Sequence, residues 1–119
     1  FIALSSIMGI KPSPRSIGYP ASKAALGMAF RGLNLTCQKQ NVIFSTIYLG
    51  PVSGTEMWNK WNGNKKSFHV ESKENVASKI TKVIKTKKPV CYIPFWTTLP
   101  ARLSFLPDRW YIALTELFR

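Results

Sequence analysis

The chain has 119 residues, 45% of them hydrophobic, with a formal net charge of +12, one histidine and two cysteines. That length is about one ordinary domain, and that apolar content excludes a disordered tail. Two isolated cysteines exclude a disulfide framework and a single histidine leaves a zinc site without partners, while the positive charge raises anionic partners (nucleic acid or membrane) against a plain solvated basic surface.

Residues 1–5, FIALS, are apolar and end in small polar residues, which predicts the carboxyl end of a buried strand. A strand already under way at residue 1 reads as part of a longer protein. Residues 9–18 are rich in Pro, Ser and Gly and predict a loop. A helix is expected from Pro20 to about Gln38, with Pro20 tolerated in the first turn. Ala21, Ala24, Ala25 and Ala29 join Leu26, Met28, Phe30 and Leu33 around most of its circumference, which predicts burial on more than one face. Gly27 and Gly32 cost helix propensity. Close approach of another backbone, across a dimer included, would account for them, and ordinary tolerance is the alternative.

Residues 41–49, NVIFSTIYL, read as a buried strand, broken by GPVSGT. Residues 56–71 are polar and mixed, a mobile segment with one short helix, in which His69 reads as a solvated loop residue. Ser72 can cap a helix running to about Thr86, along which Val76, Ile80, Val83 and Ile84 recur at helical spacing while Lys73, Lys79, Lys82 and Lys85 fall off the stripe. PVCYIP, residues 89–94, is a short strand bounded by prolines. The tail, residues 95–119, holds two amphipathic helical stretches separated by Pro107. Trp96, Leu99, Leu103 and Leu106, then Trp110, Leu114, Leu117 and Phe118, form apolar stripes beside Arg102, Arg109 and Arg119. These helices either cover the sheet edge or the substrate pocket, or make a monotopic membrane contact. The densest lysine stretches do not interleave aromatics as a base-stacking platform does, so nucleic acid is not expected as a partner. Reduced thiols suit a cytoplasmic setting.

Strands alternating with helices predict an α/β fold of parallel βαβ units. Residues 1–94 form this unit and residues 95–119 the helical tail. Three strands leave the sheet short of cover at its edge and faces. The chain alone is therefore expected to be unstable or to aggregate.

In an open α/β sheet, ligands bind beyond the carboxyl ends of the strands. Ser5 and Ser6 lie at such an end, Tyr19 starts the following helix, and Lys23, four residues on, shares its face. A free phenol has a pKa of about 10, too high for a base near neutrality, and a nearby cation lowers it. A tuned tyrosine can exchange a proton with a carbonyl or alcohol oxygen. A serine hydroxyl can hold that oxygen, and a lysine can grip cofactor hydroxyls.

The combination of SS, then YPASK with Tyr19 thirteen residues after Ser6, then KAALGMAFRGLNLTCQKQNVIFSTIYLGPVSGTEM resembles the carboxyl-terminal half of the short-chain dehydrogenase/reductase family, with its Ser…Tyr-x-x-x-Lys set. The resemblance implies a Rossmann-type parallel sheet with flanking helices. It implies that Ser6 orients the substrate oxygen, that Tyr19 is the general acid/base, and that Lys23 binds nicotinamide-ribose hydroxyls and depresses the Tyr19 pKa. Gly50 and Val52 would pass beside the nicotinamide, with Thr55 touching the cofactor. The turn departs from the usual Pro-Gly-x-Val-x-Thr: Leu49 stands where proline is usual, and VSGT is one residue longer than Val-x-Thr. The family's glycine-rich phosphate loop, its NAD/NADP selector and its catalytic asparagine would all precede Phe1. The implied cofactor is NAD or NADP, the substrate a small alcohol or carbonyl compound, apolar given the aromatic tail, and the intact enzyme a homo-oligomer. Two alternatives stand beside this: a catalytically inactive remnant of a split gene, and a basic membrane-associated module.

Overall fold

The β-branched and apolar segments pair as a parallel sheet in the computed structural model, which describes residues 1–14, 16–62 and 70–117. In chain order the elements are β1 (Ile2–Ser6), α1 (Gly18–Thr36), β2 (Ser45–Leu49), β3 (Val52–Ser53), α2 (Glu56–Asn62), β4 (Glu71–Ser72), α3 (Lys73–Thr86), β5 (Val90–Ile93), α4 (Thr98–Arg102) and α5 (Asp108–Leu117). The main sheet runs β1-β2-β5, and β3 pairs with β4, all in parallel. This is the α/β architecture that the alternation of strands and helices predicts. His69, with the rest of residues 63–69, lies outside the described residues, as do Phe118 and Arg119.

Register decides which side chains meet which helix. Leu4, Ile47 and Cys91 stand level across the three strands, as do Ser5, Tyr48 and Tyr92. Side chains alternate along a strand, so Ile2, Ile47, Leu49, Cys91 and Ile93 share one face. There they pack with Val76, Ile80 and Val83 of α3. Burying Ile47 and Ile93 fully contributes about 2 kcal/mol each. The other face carries Ser5, Thr46, the stacked rings of Tyr48 and Tyr92 (centroids 5.2 Å apart), and α1 above them. Burial pushes the Tyr92 phenol above its ordinary pKa, Tyr48 adds to the effect, and Arg31 opposes it. Helices thus cover both faces, as a parallel sheet requires.

Several expectations change in detail. The first helix starts at Gly18 and ends at Thr36, and only Pro20 and Gly27 along it are fully buried. Met28 is 67% exposed and Leu35 71%, so burial on more than one face is not met: the sheet covers one side of α1, and among the described residues nothing covers the other. Gly27 is explained by a side chain rather than a backbone, since a Cβ there would sit 2.6 Å from the Tyr48 hydroxyl. A Cβ at Gly32 would meet open space, the tolerated case. The second strand begins at Ser45, because Asn41 adopts a left-handed conformation (φ 56°) after a 3-10 turn and residues 42–44 only lead in. Ile84 is exposed, lying beyond the stripe of Val76, Ile80 and Val83.

Ser72 caps α3, accepting from the Asn75 N–H at 3.2 Å. Beside it, Glu71 pairs with Lys79 and accepts from Asn75 Nδ2 at 2.8 Å. The Lys79 hydrogen bond holds the Glu71 carboxyl below its usual range, against the opposing effect of desolvation. A depressed folded-state pKa means stability that is present above the unfolded carboxylate value, about 4.3, and is lost as pH falls through the lower folded value. Thermal melts of Glu71→Gln should therefore be less stable than the parent at neutral pH, with the gap closing as the pH is lowered through that window.

Candidate active site

The carboxyl end of β1 is bound to the second turn of α1 at three points. Ser5 is buried, and its Oγ donates to the main-chain oxygen of Lys23 at 2.8 Å. Gly9 sits flat against the same turn: a Cβ there would fall 2.7 Å from the main-chain N of Ala24 and the carbonyl carbon of Lys23. The Lys23 ammonium donates to the Leu4 carbonyl at 3.1 Å. That carbonyl lies on the edge of β1 away from β2, since Phe1 on the alternate register accepts from Ser45.

Ser6 closes β1. Its buried Oγ accepts from the Met8 N–H at 3.2 Å, capping the 3-10 turn of residues Ile7–Gly9. The hydroxyl proton is not used in that bond and remains free to donate. Tyr19 stands half-buried in the first turn of α1, and the Lys23 Nζ lies 5.7 Å from the centroid of its ring, within cation–π range. Lys23 thus reaches β1 at Leu4, two residues before Ser6, with Tyr19 one helical turn earlier on α1.

Gly50 belongs to the same end. Leu49 stands level with Ser6, and Gly50 follows it. Its N–H donates to the Ile93 oxygen at 2.7 Å. A Cβ at Gly50 would come 3.1 Å from Pro94 Cδ and 3.3 Å from Thr97 Cγ2. Thr97 is itself locked, fully buried and donating to the Pro94 oxygen at 2.6 Å. Crowding from the segment after β5 is thus reason enough for a glycine here. Val52 goes into the β3–β4 pair opposite Glu71. Thr55 is engaged locally: its Oγ1 donates to the Val52 oxygen at 3.0 Å and accepts from the Trp58 N–H at 3.2 Å, capping α2.

A cleft of about 320 Å³ opens on the other flank of α1, lined by Met8, Ile10, Ile17, Pro20, Ala21 and Ala24 among others. Residues advance about 100° around a helix per position, so Ile17, Ala21 and Ala24 face away from Tyr19 and Lys23. Ser5, Gly9 and Lys11 carry structural contacts here that the motif spacing does not announce. The half-buried Lys11 donates to the Leu106 oxygen at 2.8 Å, pairs with Asp108 at 2.5 Å and lies 5.8 Å from the Tyr111 ring centroid, tying the loop to α5. No local sequence signal announces a pair 97 positions apart.

The sequence profile of the short chain dehydrogenase family matches residues 1–66. No curated protein matches the chain. The fold is similar to the crystal structure of a short chain dehydrogenase from Mycobacterium paratuberculosis bound to NAD, with a TM-score of 0.58 and 20% sequence identity over 76% of this chain and 41% of that one. This chain therefore spans less than half the length of that structure, and it shares with it a Rossmann-type arrangement of parallel strands and flanking helices. With a profile match that takes in Ser6, Tyr19, Lys23 and the turn after β2, the chain belongs to the short chain dehydrogenase family.

Proposed function

We propose that residues 1–94 form the catalytic and substrate-side part of an NAD(P)(H)-dependent oxidoreductase acting on an alcohol or carbonyl compound, with residues 95–119 as an appended helical tail. The observation that carries this is the placement of the Lys23 ammonium 5.7 Å from the Tyr19 ring, at the strand end that also holds Ser6. Tyr19 exchanges a proton with the substrate oxygen. Lys23, one turn on along the same helix face, holds its ammonium over the Tyr19 ring and orients it. Ser6 donates its free hydroxyl proton to the same oxygen. The nicotinamide, when bound, supplies or accepts the hydride.

The residues present fit the nicotinamide end of the cofactor: Lys23 offers donors for ribose hydroxyls, and Gly50 presents no side chain at the strand end. Val52 and Thr55 would line the next stretch through their main chain, since the Thr55 hydroxyl is taken up by the α2 cap. The pyrophosphate end needs a glycine-rich turn between a strand and a helix. Among the described residues no glycine-rich turn of that kind joins a strand to a helix, so this function requires it from further polypeptide. The same observation favours a second reading, a remnant that keeps the signature without turnover. The exposed Met28 and Leu35 on α1 support a homo-oligomer in the intact enzyme.

Fluorescence titration of NADH and NADPH into the protein purified from its source, followed by a turnover screen of alcohols and ketones, separates the two readings. Saturable binding with turnover is the expected result. Folded protein that binds neither cofactor, or binds one without turning over any substrate, would establish the remnant instead.

A further inference from the structure

The tail turns large apolar side chains outward while its only described acidic side chain is spent. Lys11 holds Asp108 and sits over Tyr111, so one side of α5 is committed to the loop after β1. Burial on that side pushes the Tyr111 phenol above its ordinary pKa. The other side carries Trp110, Ala113 and Leu114 at i, i+3 and i+4 with Arg109 beside them, lining a shallow open groove of about 460 Å³. Trp110 is 70% exposed and Phe105 79%; Leu99 and Phe95 are also exposed. Arg102 and Arg109 are exposed and make no ion pair among the described residues. Soluble monomers rarely leave such apolar area uncovered.

We propose that this tail is a docking surface for an anionic bilayer, with Trp110, Leu114 and Phe105 entering the interface and Arg102 and Arg109 meeting lipid phosphates. This is independent of the oxidoreductase function. Charge decides between occupants. A second copy seated on this face would bring its own Arg102 and Arg109 against the same two arginines, whereas an anionic leaflet complements them. Aromatic, aliphatic and basic side chains exposed together are the composition of helices that lie in the interface plane. Among the described residues no helix is long and apolar enough to cross a membrane, so the contact is with one leaflet.

The test is cell-free synthesis of the full chain beside vesicles of phosphatidylcholine alone or with a third phosphatidylserine, followed by flotation, in which bound protein rises and aggregate sediments. The chain should float with the anionic vesicles and much less with the neutral ones. Trp110→Ser with Leu114→Ser, both at exposed positions, should cut flotation at least tenfold. Arg102→Ala with Arg109→Ala should erase the preference for phosphatidylserine while leaving the apolar area intact. No flotation with anionic vesicles at low salt would overturn the proposal. So would flotation unchanged by the Trp110 and Leu114 substitutions, which would mean a diffuse basic attraction, or a dimer abolished by those same substitutions, which would give the face to a second copy.

Discussion

Tyr19→Phe is expected to lower turnover by about two to four orders of magnitude, the usual worth of a positioned general acid/base, and to leave NAD(P)H affinity nearly unchanged. The substitution removes one oxygen and its proton. The ring persists, so the contact with Lys23 at 5.7 Å persists as well, and the main-chain oxygen of Tyr19 still accepts from Ser22 Oγ at 2.8 Å. The first turn of α1 therefore has no reason to move. A loss of cofactor binding equal to the loss of rate would mean that the phenol serves binding. Undiminished turnover would remove Tyr19 from the proton path. Parallel steady-state kinetics and fluorescence titration of the variant and parent distinguish the three results.

Lys23 links this chemistry to the architecture. In the described structure its ammonium is bound to Leu4 O at the open edge of β1. An edge strand offers unpaired carbonyls and N–H groups to any strand that approaches, and here one of those carbonyls is occupied by a side chain assigned to the site. Exposed Phe1 and Leu4 beside it mark the same edge as short of cover. Completion of the sheet and placement of the lysine therefore meet at a single carbonyl oxygen.

The elements were legible where the signal is local. The capping serine before α3, the stripe of Val76, Ile80 and Val83, and the β-branched run ending at Leu49 each depend on neighbours in sequence, and each appears. The spacing of Ser6, Tyr19 and Lys23 is itself a motif, and it falls within the part of the chain that the family profile matches. What was not legible depends on contacts between distant segments. An alanine-rich helix announces that its faces are apolar without saying what covers them, and α1 is covered on one side. Gly27 and Gly32 look alike in sequence, yet one lies against Tyr48 and the other faces open space. Ser5 stands one position before Ser6, off the motif's offset from Tyr19. That single step turns its side chain to the α1 face, where it holds Lys23 by the main chain.

Gly9→Ala is expected to be the most damaging glycine-to-alanine change among the described residues. The added Cβ would lie 2.7 Å from two backbone atoms of α1, at Lys23 and Ala24, and 3.0 Å from Lys23 Cβ. Backbone cannot swing aside as a side chain does, so either the helix or the 3-10 turn must retreat. Overpacking of this kind costs about 1–3 kcal/mol, and a backbone obstacle puts it at the upper end, a fall in melting temperature on the order of 10–20 °C for a domain of this size. The displaced turn is the one that carries Lys23 and follows Tyr19, and a misplacement of about 1 Å in reacting groups costs roughly a hundredfold in rate. Gly32→Ala is the internal control: within one chain open space surrounds the new methyl and a helix former replaces glycine, so stability should rise by about 0.5–1 kcal/mol, and a loss instead would put Gly32 in the subunit contact beside Met28 and Leu35. Thermal melts and kinetics on both variants, in the protein purified from its source, test the pair. Equal stability of Gly9→Ala and the parent would show that the strand end and α1 are not locked together, and with that lock would go the reason for Ser6, Tyr19 and Lys23 to hold a fixed geometry.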